Sequence, residues 1–392
     1  MTDRDGEADR PLDVLVLGAG IAGASLAWTL AQQDGSRILL VERESQPGLH
    51  STGRSAAMFM ESYGPPGVRA LTRASRAFYE HPPEGFLPDD APPLLRPRGV
   101  LYVAAPGQQA QLAALRDELA ATGLPLQEID ADEACARVPC LRRGQVIGAL
   151  VESAAEDIDV HTLHQGYLRG LKRRGGSLIT GAELRIARHD GAAWLLTFAD
   201  GRTLRATRVV NAAGAWADEL AGLFGASPLG LEPRRRSAFT FAAPHGVDVS
   251  GWPTVVGVDE EEGWYFKPDA GRLLGSPANA DATVPHDVQP EELDIATGIH
   301  RITEATTLTI RRPLSTWAGL RTFAPDGELV IGFDAQQPGF FWLAGQGGYG
   351  IQSAAGAAAL AAALLRDEAP PAAWAEQGFE AGRFSPARFS RA

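Results

Sequence analysis

Lysine is almost missing from this chain: of its 36 basic residues, only Lys172 and Lys267 are lysines, and the rest are arginines. The net charge is -12. This charge argues against nucleic acid or an anionic membrane as a partner, because both attract basic surfaces. In so arginine-rich a chain, one arginine is weak evidence for function and needs support from its sequence context.

Cysteine is equally scarce, since Cys135 and Cys140 are the two in the chain. Two cysteines cannot build a disulfide framework. Their spacing also lacks the second ligand pair of a zinc site. We therefore expect two ordinary thiols, no metal site and a reducing, cytoplasmic environment.

A long membrane-spanning run is also missing. Residues 14–31 are uncharged and almost wholly apolar, long enough to suggest a membrane helix. Glycines interrupt this run, however, and the residues before it carry charges of both signs, unlike a signal peptide. We expect a strand, a turn and a helix here, no transmembrane segment, and a flexible tail over residues 1–11.

The order of predicted elements is α/β, then mostly β, then α/β again. Strands at Asp13–Leu17 and Arg37–Glu42 flank a helix at Ile21–Gln33. Strands dominate residues 233–320, including one expected at Thr307–Arg312. A strand at Phe340–Ala344 and a helix over Ile351–Leu365 follow. This order predicts a nucleotide-binding domain whose sequence is split around a β-rich substrate domain.

The segment VLVLGAGIAGASLAWTL carries the spacing G-x-G-x-x-G at Gly18, Gly20 and Gly23. The first glycine suits a tight turn, the second a close approach to pyrophosphate, and the third close helix–strand packing. Glu42 ends the next strand, where an acid can accept the ribose hydroxyls of adenosine. The pattern predicts a dinucleotide and does not distinguish NAD from FAD.

The segment HSTGRSAAMF, which follows shortly after, favours a flavin. It carries three hydroxyl groups that can bind phosphate or ribitol oxygens, those of Ser51, Thr52 and Ser55. Its small residues leave room for a flat ring: Gly53, Ala56 and Ala57. Arg54 can meet a phosphate or remain a loop charge. The alternative is a solvated surface loop, which the apolar exit at Met58–Phe59 argues against.

Two later glycine turns fit the same interpretation. In GFFWLAGQGGYGIQSAAG, a buried strand runs into Gly345, Gly347, Gly348 and Gly350 and then into a helix. The N-terminus of such a helix stabilises the negative charge of a reduced flavin. In RVVNAAGAWADEL, the strand at residues 209–212 ends at Gly214, and a helix starts near Trp216.

Taken in order, GAGIAGAS, HSTGRSAA, HQGYLRG, NAAGAW, RRSAF, KPDAG, LLGSPANAD, ATTLTIRRP, TWAGLR and QGGYGIQ resemble the FAD-dependent amine and D-amino acid oxidoreductases. Within this superfamily of D-amino-acid oxidase, glycine oxidase and sarcosine oxidase, the bacterial D-arginine dehydrogenases are most similar. The resemblance covers nearly everything after the N-terminal tail.

The resemblance implies an α/β fold: a Rossmann-like FAD-binding domain of the glutathione-reductase type, with a mostly antiparallel β-sheet substrate domain that also carries helices, as in D-amino-acid oxidase. We assign residues 12–85, 145–228 and 322–392 to the FAD-binding domain, and residues 86–144 and 229–321 to the substrate-binding domain.

The resemblance also implies a non-covalently bound FAD. The residues expected to hold it are Gly18, Gly20, Ala22, Gly23, Glu42, Arg43, Ser51, Thr52, Arg54, Ser55, Ala56, Ala57, Leu184, Ala213, Gly214, Trp216, Gly319, Gly347, Gly348, Tyr349, Gly350 and Ile351.

The implied reaction is oxidative deamination of a D-amino acid to a 2-oxo acid and ammonia, by hydride transfer to flavin N5. Arg236 and Arg321 match the family's carboxylate clamp. Tyr63 and Tyr265 match tyrosines that cover the substrate, and Gly348 and Gln352 match positions near substrate and flavin. The electron acceptor is expected to be a quinone or carrier rather than oxygen, reached at the inner membrane surface if the protein docks there.

Two positions depart from the D-arginine dehydrogenase pattern. Met58 stands where that enzyme has a substrate-contacting histidine, and Val100 stands where it has the glutamate that receives the guanidinium. No acid occurs from Arg98 to Val103. A buried guanidinium without an acid partner loses roughly 3 kcal/mol or more. We therefore expect apolar D-amino acids to be better substrates than D-arginine.

Three other interpretations are compatible with parts of the sequence. A secondary-amine oxidase of the same fold, acting on glycine- or sarcosine-like substrates, would use the same arginine pair. A non-catalytic FAD-binding assembly protein would be expected to lose those arginines. A nicotinamide dehydrogenase would leave the glycine run at residues 345–350 without a role.

Overall fold

The computed structural model describes residues 10–258 and 263–389. The predicted flexible tail, residues 1–11, lies outside the described residues except for Arg10 and Pro11. The strands are β1 Leu12–Leu17, β2 Ile38–Val41, β3 Met58–Phe59, β4 Leu95–Pro97, β5 Val100–Ala104, β6 Gln127–Asp130, β7 Gly148–Glu152, β8 Glu156–Ile158, β9 Ser177–Ile179, β10 Leu184–His189, β11 Trp194–Phe198, β12 Thr203–Asn211, β13 Glu232–Ala242, β14 Thr254–Gly257, β15 Tyr265–Asp269, β16 Arg272–Ser276, β17 Asp281–Ala282, β18 Ser315–Phe323, β19 Val330–Phe333 and β20 Phe340–Ala344.

The helices lie between these strands and on the faces of the sheets. They are α1 Ile21–Leu30, α2 Pro66–Glu80, α3 Gln109–Ala120, α4 Ala131–Arg137, α5 Val160–Arg173, α6 Ala217–Leu223, α7 Glu292–Ala305 and α8 Ala354–Leu365. Short 3-10 turns occur at Arg143–Gln145, Gly214–Trp216, Ala372–Gln377, Ala381–Phe384 and Pro386–Phe389. In the described part of the chain, no helix is long and apolar enough to cross a membrane.

The first sheet has a parallel centre built from strands β9, β2, β1, β12 and β20. Strands β2 and β20 are buried along their whole length, as the centre of a parallel sheet requires. Leu17 pairs with both Val41 and Asn211, and Asn211 pairs with Trp342. The carboxyl ends of β1, β2, β12 and β20 therefore meet at one edge, where the ligands of such sheets bind.

The second sheet is mostly antiparallel and runs in the order β17, β13, β16, β15, β14, β5, β7, β6. Strand β18 pairs with β13 over nine residue pairs, from Glu232 opposite Phe323 to Thr240 opposite Ser315. A small third sheet joins β3, β8 and β4. The predicted fold class, an α/β dinucleotide domain with a mostly antiparallel second domain, is confirmed.

Two details differ from the sequence predictions. The strand predicted at Thr307–Arg312 is wrong: the structure has an isolated bridge from Thr306 to Leu141, and the strand comes later, as β18. Leu308 and Ile310 are buried in the second core, so their alternation reflects packing without a ladder. Strand β7 falls inside the predicted FAD-binding segment 145–228, yet it pairs in the second sheet.

A buried carboxylate fixes the start of helix α2. Glu328, which is 7% exposed, accepts hydrogen bonds from the amides of Gly67 at 2.8 Å and Val68 at 3.0 Å. These amides belong to the first turn of the helix and have no partner within the helix itself. The carboxylate also complements the positive end of the helix dipole. A side chain distant in sequence therefore caps the helix.

We expect Glu328→Gln to lower the free energy of unfolding by about 1–2 kcal/mol, because an amide oxygen replaces one acceptor and its NH₂ group faces donors. Denaturant unfolding followed by tryptophan fluorescence measures the change. Glu84→Gln, at an exposed site, is the control. Equal unfolding midpoints for the two variants would contradict the capping role.

Candidate active site

The dinucleotide turn begins directly after β1. Gly18 has φ +103°, and a Cβ there would overlap the Ala212 carbonyl at the end of β12. A Cβ on Gly23 would overlap the Gly18 carbonyl, so this glycine allows helix α1 to approach β1. Gly20 faces the Thr52 hydroxyl and lines a cavity. The turn at Gly18 and the close packing at Gly23 agree with the roles that the spacing predicts, and the pyrophosphate contact of Gly20 stays a prediction.

Polar contacts hold the turn from two sides. The carboxylate of Glu42 accepts hydrogen bonds from the amides of Ala19 at 2.8 Å and Glu44 at 2.9 Å. Nε2 of His164, on helix α5, lies 2.9 Å from the Ala19 carbonyl and donates to it. His164 is 5% exposed, and burial lowers its pKa. The sequence analysis did not identify this contact with the turn.

The loop His50–Ala57 joins the two sheets beside this turn. The Thr52 hydroxyl accepts the amide hydrogen of Ile21 at 2.9 Å, and the Ser51 hydroxyl donates to the Leu320 carbonyl at 2.5 Å. Arg54 donates to the carbonyls of Val288 and Ala318, both at 3.0 Å, and pairs with Asp287. Of the two roles left open for Arg54, these contacts favour the loop charge over the phosphate ligand.

The glycine turn after β20 forms the opposite wall. Gly345 and Gly347 have φ of +72° and +52°. Helix α8 begins at Ala354 rather than at the predicted Ile351, after a turn over residues 349–353. A Cβ on Gly348 would overlap the Arg321 guanidinium. The glycine therefore gives this arginine the space that it occupies.

One cavity of about 990 Å³ collects these elements. All the residues expected to hold the cofactor line it, with the exception of Gly23, which packs behind the turn. At the adenosine end, Arg43 lies 4.3 Å from the centre of the Trp216 ring, and the His50 ring lies 4.7 Å from the same ring. An elongated space with glycine-lined backbone at both ends fits FAD.

The other end of the cavity carries arginines, and the alternation of β13 explains which ones. Arg234 and Arg236 project into the cavity, whereas Arg235 projects to the other side and binds Asp294 at 3.0 Å and Asp281 at 3.1 Å. Arg321 on β18 pairs with Arg234 and lies on the same face. Side chains of a strand alternate between faces, which separates the members of the RRR run.

Tyrosines surround Arg321. Its Nη2 donates to the Tyr63 hydroxyl at 2.5 Å, and the Tyr63 and Tyr349 rings meet edge to face with centroids 4.9 Å apart. Burial, reinforced by the Tyr63 phenol, raises the pKa of Tyr349 to about 12, so this phenol is neutral at physiological pH. Tyr265 also lines the cavity. The arrangement is a cationic pocket with aromatic walls.

Two predicted substrate-site residues lie differently with respect to the cavity. Val100 is fully buried and does not line the cavity; Tyr102, two residues later on β5, does. The structure therefore does not place Val100 against the substrate space, whereas Gln352 lines it. The Gln352 amide binds the backbone of Met60 and Tyr63, at 3.2 and 3.3 Å, and so supports the loop that carries Tyr63.

Sequence reasoning missed several cavity residues: Met60, Tyr102, Arg234, Thr254, Val256 and Lys267. Lys267 is 6% exposed, and its ammonium group donates to Asp157 at 2.5 Å and to the Ala56 carbonyl at 2.9 Å. Because the chain contains two lysines, the presence of a lysine at position 267 was a signal that could have drawn attention to this residue. Among the described residues, no His, Cys, Asp and Glu group could hold a metal ion, and Cys135 and Cys140 are free and buried.

A glycine-lined dinucleotide cavity that opens into an arginine pocket defines an FAD-dependent oxidoreductase. The sequence pattern of the DAO family, described as FAD dependent oxidoreductase, matches residues 13–364. The chain belongs to this family.

Individual relatives differ in substrate. L-2-hydroxyglutarate dehydrogenase of Escherichia coli (strain K12) is 25% identical over 243 residues; the match covers 59% of this chain and spans about 55% of that relative's length. D-amino acid dehydrogenase 2 of Ralstonia nicotianae is 25% identical over 432 residues, 92% of this chain and 97% of that one. The structure of glycine oxidase from Geobacillus kaustophilus matches this fold with a TM-score of 0.82 at 24% identity. The match covers 96% of this chain and 98% of that one. These relatives support the family, and the narrower likeness to D-arginine dehydrogenase stays a prediction.

The Gly348–Arg321 contact predicts a selective defect. We expect Gly348→Ala to displace the guanidinium and to raise the Kd for a simple carboxylate such as benzoate by on the order of a hundredfold, as loss of a charge-assisted pair does. Perturbation of the flavin spectrum measures this Kd. Gly222→Ala, on α6 with open space around it, is the control. Unchanged benzoate binding in Gly348→Ala would contradict the assignment of Arg321.

The contact of His164 with the turn predicts a pH effect. Burial lowers the pKa of His164 below 6.5, so the unfolded chain takes up this proton more readily than the folded one. The contribution of the neutral His164 ring to the free energy of unfolding is fully present above about pH 6.5, and it is lost as the pH falls below that value.

His164→Gln keeps a donor toward Ala19 and removes the titrating ring. We expect its Tm to fall less steeply than that of the wild type between about pH 7 and pH 5, with His161→Gln, an exposed residue of the same helix, as control. Thermal unfolding of the flavin-loaded protein measures both slopes. Parallel slopes would show that His164 does not titrate in this range.

Proposed function

We propose that this protein is an FAD-dependent D-amino acid dehydrogenase that converts apolar D-amino acids to 2-oxo acids and ammonia. The observation that carries the proposal is the placement of Arg236 and Arg321 in the same cavity as the glycine turns of the dinucleotide site. A cationic pair at that position suits the carboxylate of an amino acid.

The chain's own residues bind and orient the substrate. Arg236 and Arg321 hold the carboxylate, and the Tyr63 hydroxyl, itself held by Arg321, adds a third contact. Tyr265 and Tyr349 close the walls around Cα and exclude water. The substrate ammonium group gives up a proton to solvent, and FAD, when bound, would supply the two-electron oxidation by taking the hydride from Cα. The imino acid that remains is hydrolysed by water to the 2-oxo acid and ammonia.

The polarity of the cavity supports an apolar side chain. Within residues 10–258 and 263–389, the acids that line the cavity are Glu42, Glu44, Glu183 and Glu219, and all of them lie around the adenosine end. The substrate end is lined by Met58, Met60, Tyr102 and Val256. A guanidinium side chain would lie there without an acid partner among the described residues that line the cavity, at a cost of about 3 kcal/mol.

The preference for the D enantiomer and for an acceptor other than oxygen rests on the resemblance to the D-amino acid dehydrogenases. A quinone or a protein carrier is the proposed acceptor. The second candidate function is oxidation of a secondary amine or of glycine, and it is favoured by the same arginine pair and by the fold of glycine oxidase.

Anaerobic mixing of the flavin-loaded protein with single amino acids tests the function. We expect D-leucine, D-methionine and D-phenylalanine to bleach the flavin absorbance, and D-arginine to do so about a hundredfold more slowly, the rate equivalent of about 3 kcal/mol. The L enantiomers serve as matched controls.

Each other outcome changes the assignment. Bleaching by D-arginine before all others would refute the apolar pocket and keep the family. Bleaching by sarcosine or glycine alone would favour the second candidate, and bleaching by L-2-hydroxyglutarate alone would favour a hydroxy acid dehydrogenase. No bleaching by any of these compounds would favour a non-catalytic flavoprotein.

A further inference from the structure

A buried acid lies directly behind the substrate end of the cavity and has no part in the reaction described above. Glu152, the last residue of β7, is 2% exposed and is paired across the sheet with Val100. The Ser62 hydroxyl lies 2.8 and 2.7 Å from its two carboxylate oxygens, and the Tyr102 hydroxyl donates to it at 3.2 Å. Burial raises the pKa of Glu152, and these two hydroxyls oppose the shift.

The two partners of Glu152 lead to different parts of the cavity. Tyr102 lines the cavity from β5, and its hydroxyl is turned toward Glu152, so the substrate meets the ring and not the polar end. Ser62 precedes Tyr63, the tyrosine that is bound to Arg321. One carboxylate therefore connects the side-chain wall to the carboxylate clamp.

The loop from Met60 to Tyr63 has a second attachment on its other side. The Gln352 amide accepts from the Met60 amide at 3.4 Å and donates to the Met60 carbonyl and the Tyr63 carbonyl. Gln352 fixes the backbone of the loop, and Glu152 fixes its side-chain face through Ser62. The position of the Tyr63 hydroxyl depends on both.

We propose that Glu152 is a positioning residue for substrate specificity: through Ser62 it sets the Tyr63–Arg321 contact, and through Tyr102 it keeps the distal wall aromatic. The inference rests on the proposed function for the identity of the substrate, but the carboxylate-binding part of it does not. A carboxyl group suits this place because its two oxygens can accept from both hydroxyls.

The test compares Glu152→Gln, Ser62→Ala and the double variant, all loaded with FAD. We expect each single variant to raise both the KM for D-leucine and the Kd for benzoate about tenfold, a typical effect of losing a hydrogen bond to a charged group. We expect kcat to change less than KM. The double variant should lie within about twofold of the worse single variant, because both changes break one connection.

Asp334→Asn is the matched control, since this carboxylate binds the Trp342 indole at 3.0 Å on the β19–β20 hairpin, away from the arginines. It should lower the Tm and leave KM and Kd unchanged. If Glu152→Gln does not fold, Ser62→Ala and Tyr102→Phe carry the test, because each removes a single hydroxyl.

The outcomes separate the two proposals. Wild-type protein that D-leucine does not reduce refutes the proposed function, and weaker benzoate binding in Glu152→Gln then still supports the positioning role. Wild-type protein that D-leucine reduces, with KM and Kd unchanged in Glu152→Gln, refutes the positioning role alone. Additive effects in the double variant would also refute it, since Glu152 and Ser62 would then act separately.

Discussion

Two neighbouring hydroxyl groups join the halves of this molecule. The Thr52 hydroxyl accepts the first amide of helix α1, and the Ser51 hydroxyl donates to the Leu320 carbonyl of β18. The first contact belongs to the dinucleotide sheet, and the second belongs to the arginine-bearing sheet. One short loop therefore contacts both the glycine turn of the first sheet and the arginine-bearing strand of the second.

The charge distribution in the cavity follows from this arrangement. Acids surround the adenosine end, where Glu42 holds the turn through the Ala19 amide. Arginines surround the other end, where β13 and β18 present them from adjacent strands. The acids of the first end are partly neutralised, since Glu44 pairs with Arg43 and Glu183 pairs with Arg185, so the arginine end carries the stronger net charge. The overall charge of -12 concerns the outer surface and does not describe this local field.

Sequence reasoning worked best where function depends on consecutive residues. The glycine fingerprint, Glu42 and the His50–Ala57 loop are local patterns, and their cavity positions agree with their spacing. Sequence reasoning worked less well where function depends on how β-strands pair. To select Arg236 over Arg235, one must know which residues of β13 face the cavity. To recognise Glu152, one must know how β7 pairs with β5. The same holds for Val100, which lies on β5 opposite Glu152 and does not line the cavity.

Strand β12 shares its edge between two partners, β11 near its start and β20 near its end. During synthesis, the pairing with β11 forms from neighbouring residues, whereas β20 leaves the ribosome more than a hundred residues later. The wall formed by residues 347–352 appears later still. Because long-range contacts are the slow ones, a nascent chain exposes an open edge of β12 and an incomplete cavity until this late segment arrives. The cavity that the cofactor needs is therefore complete only when this late segment has paired with β12.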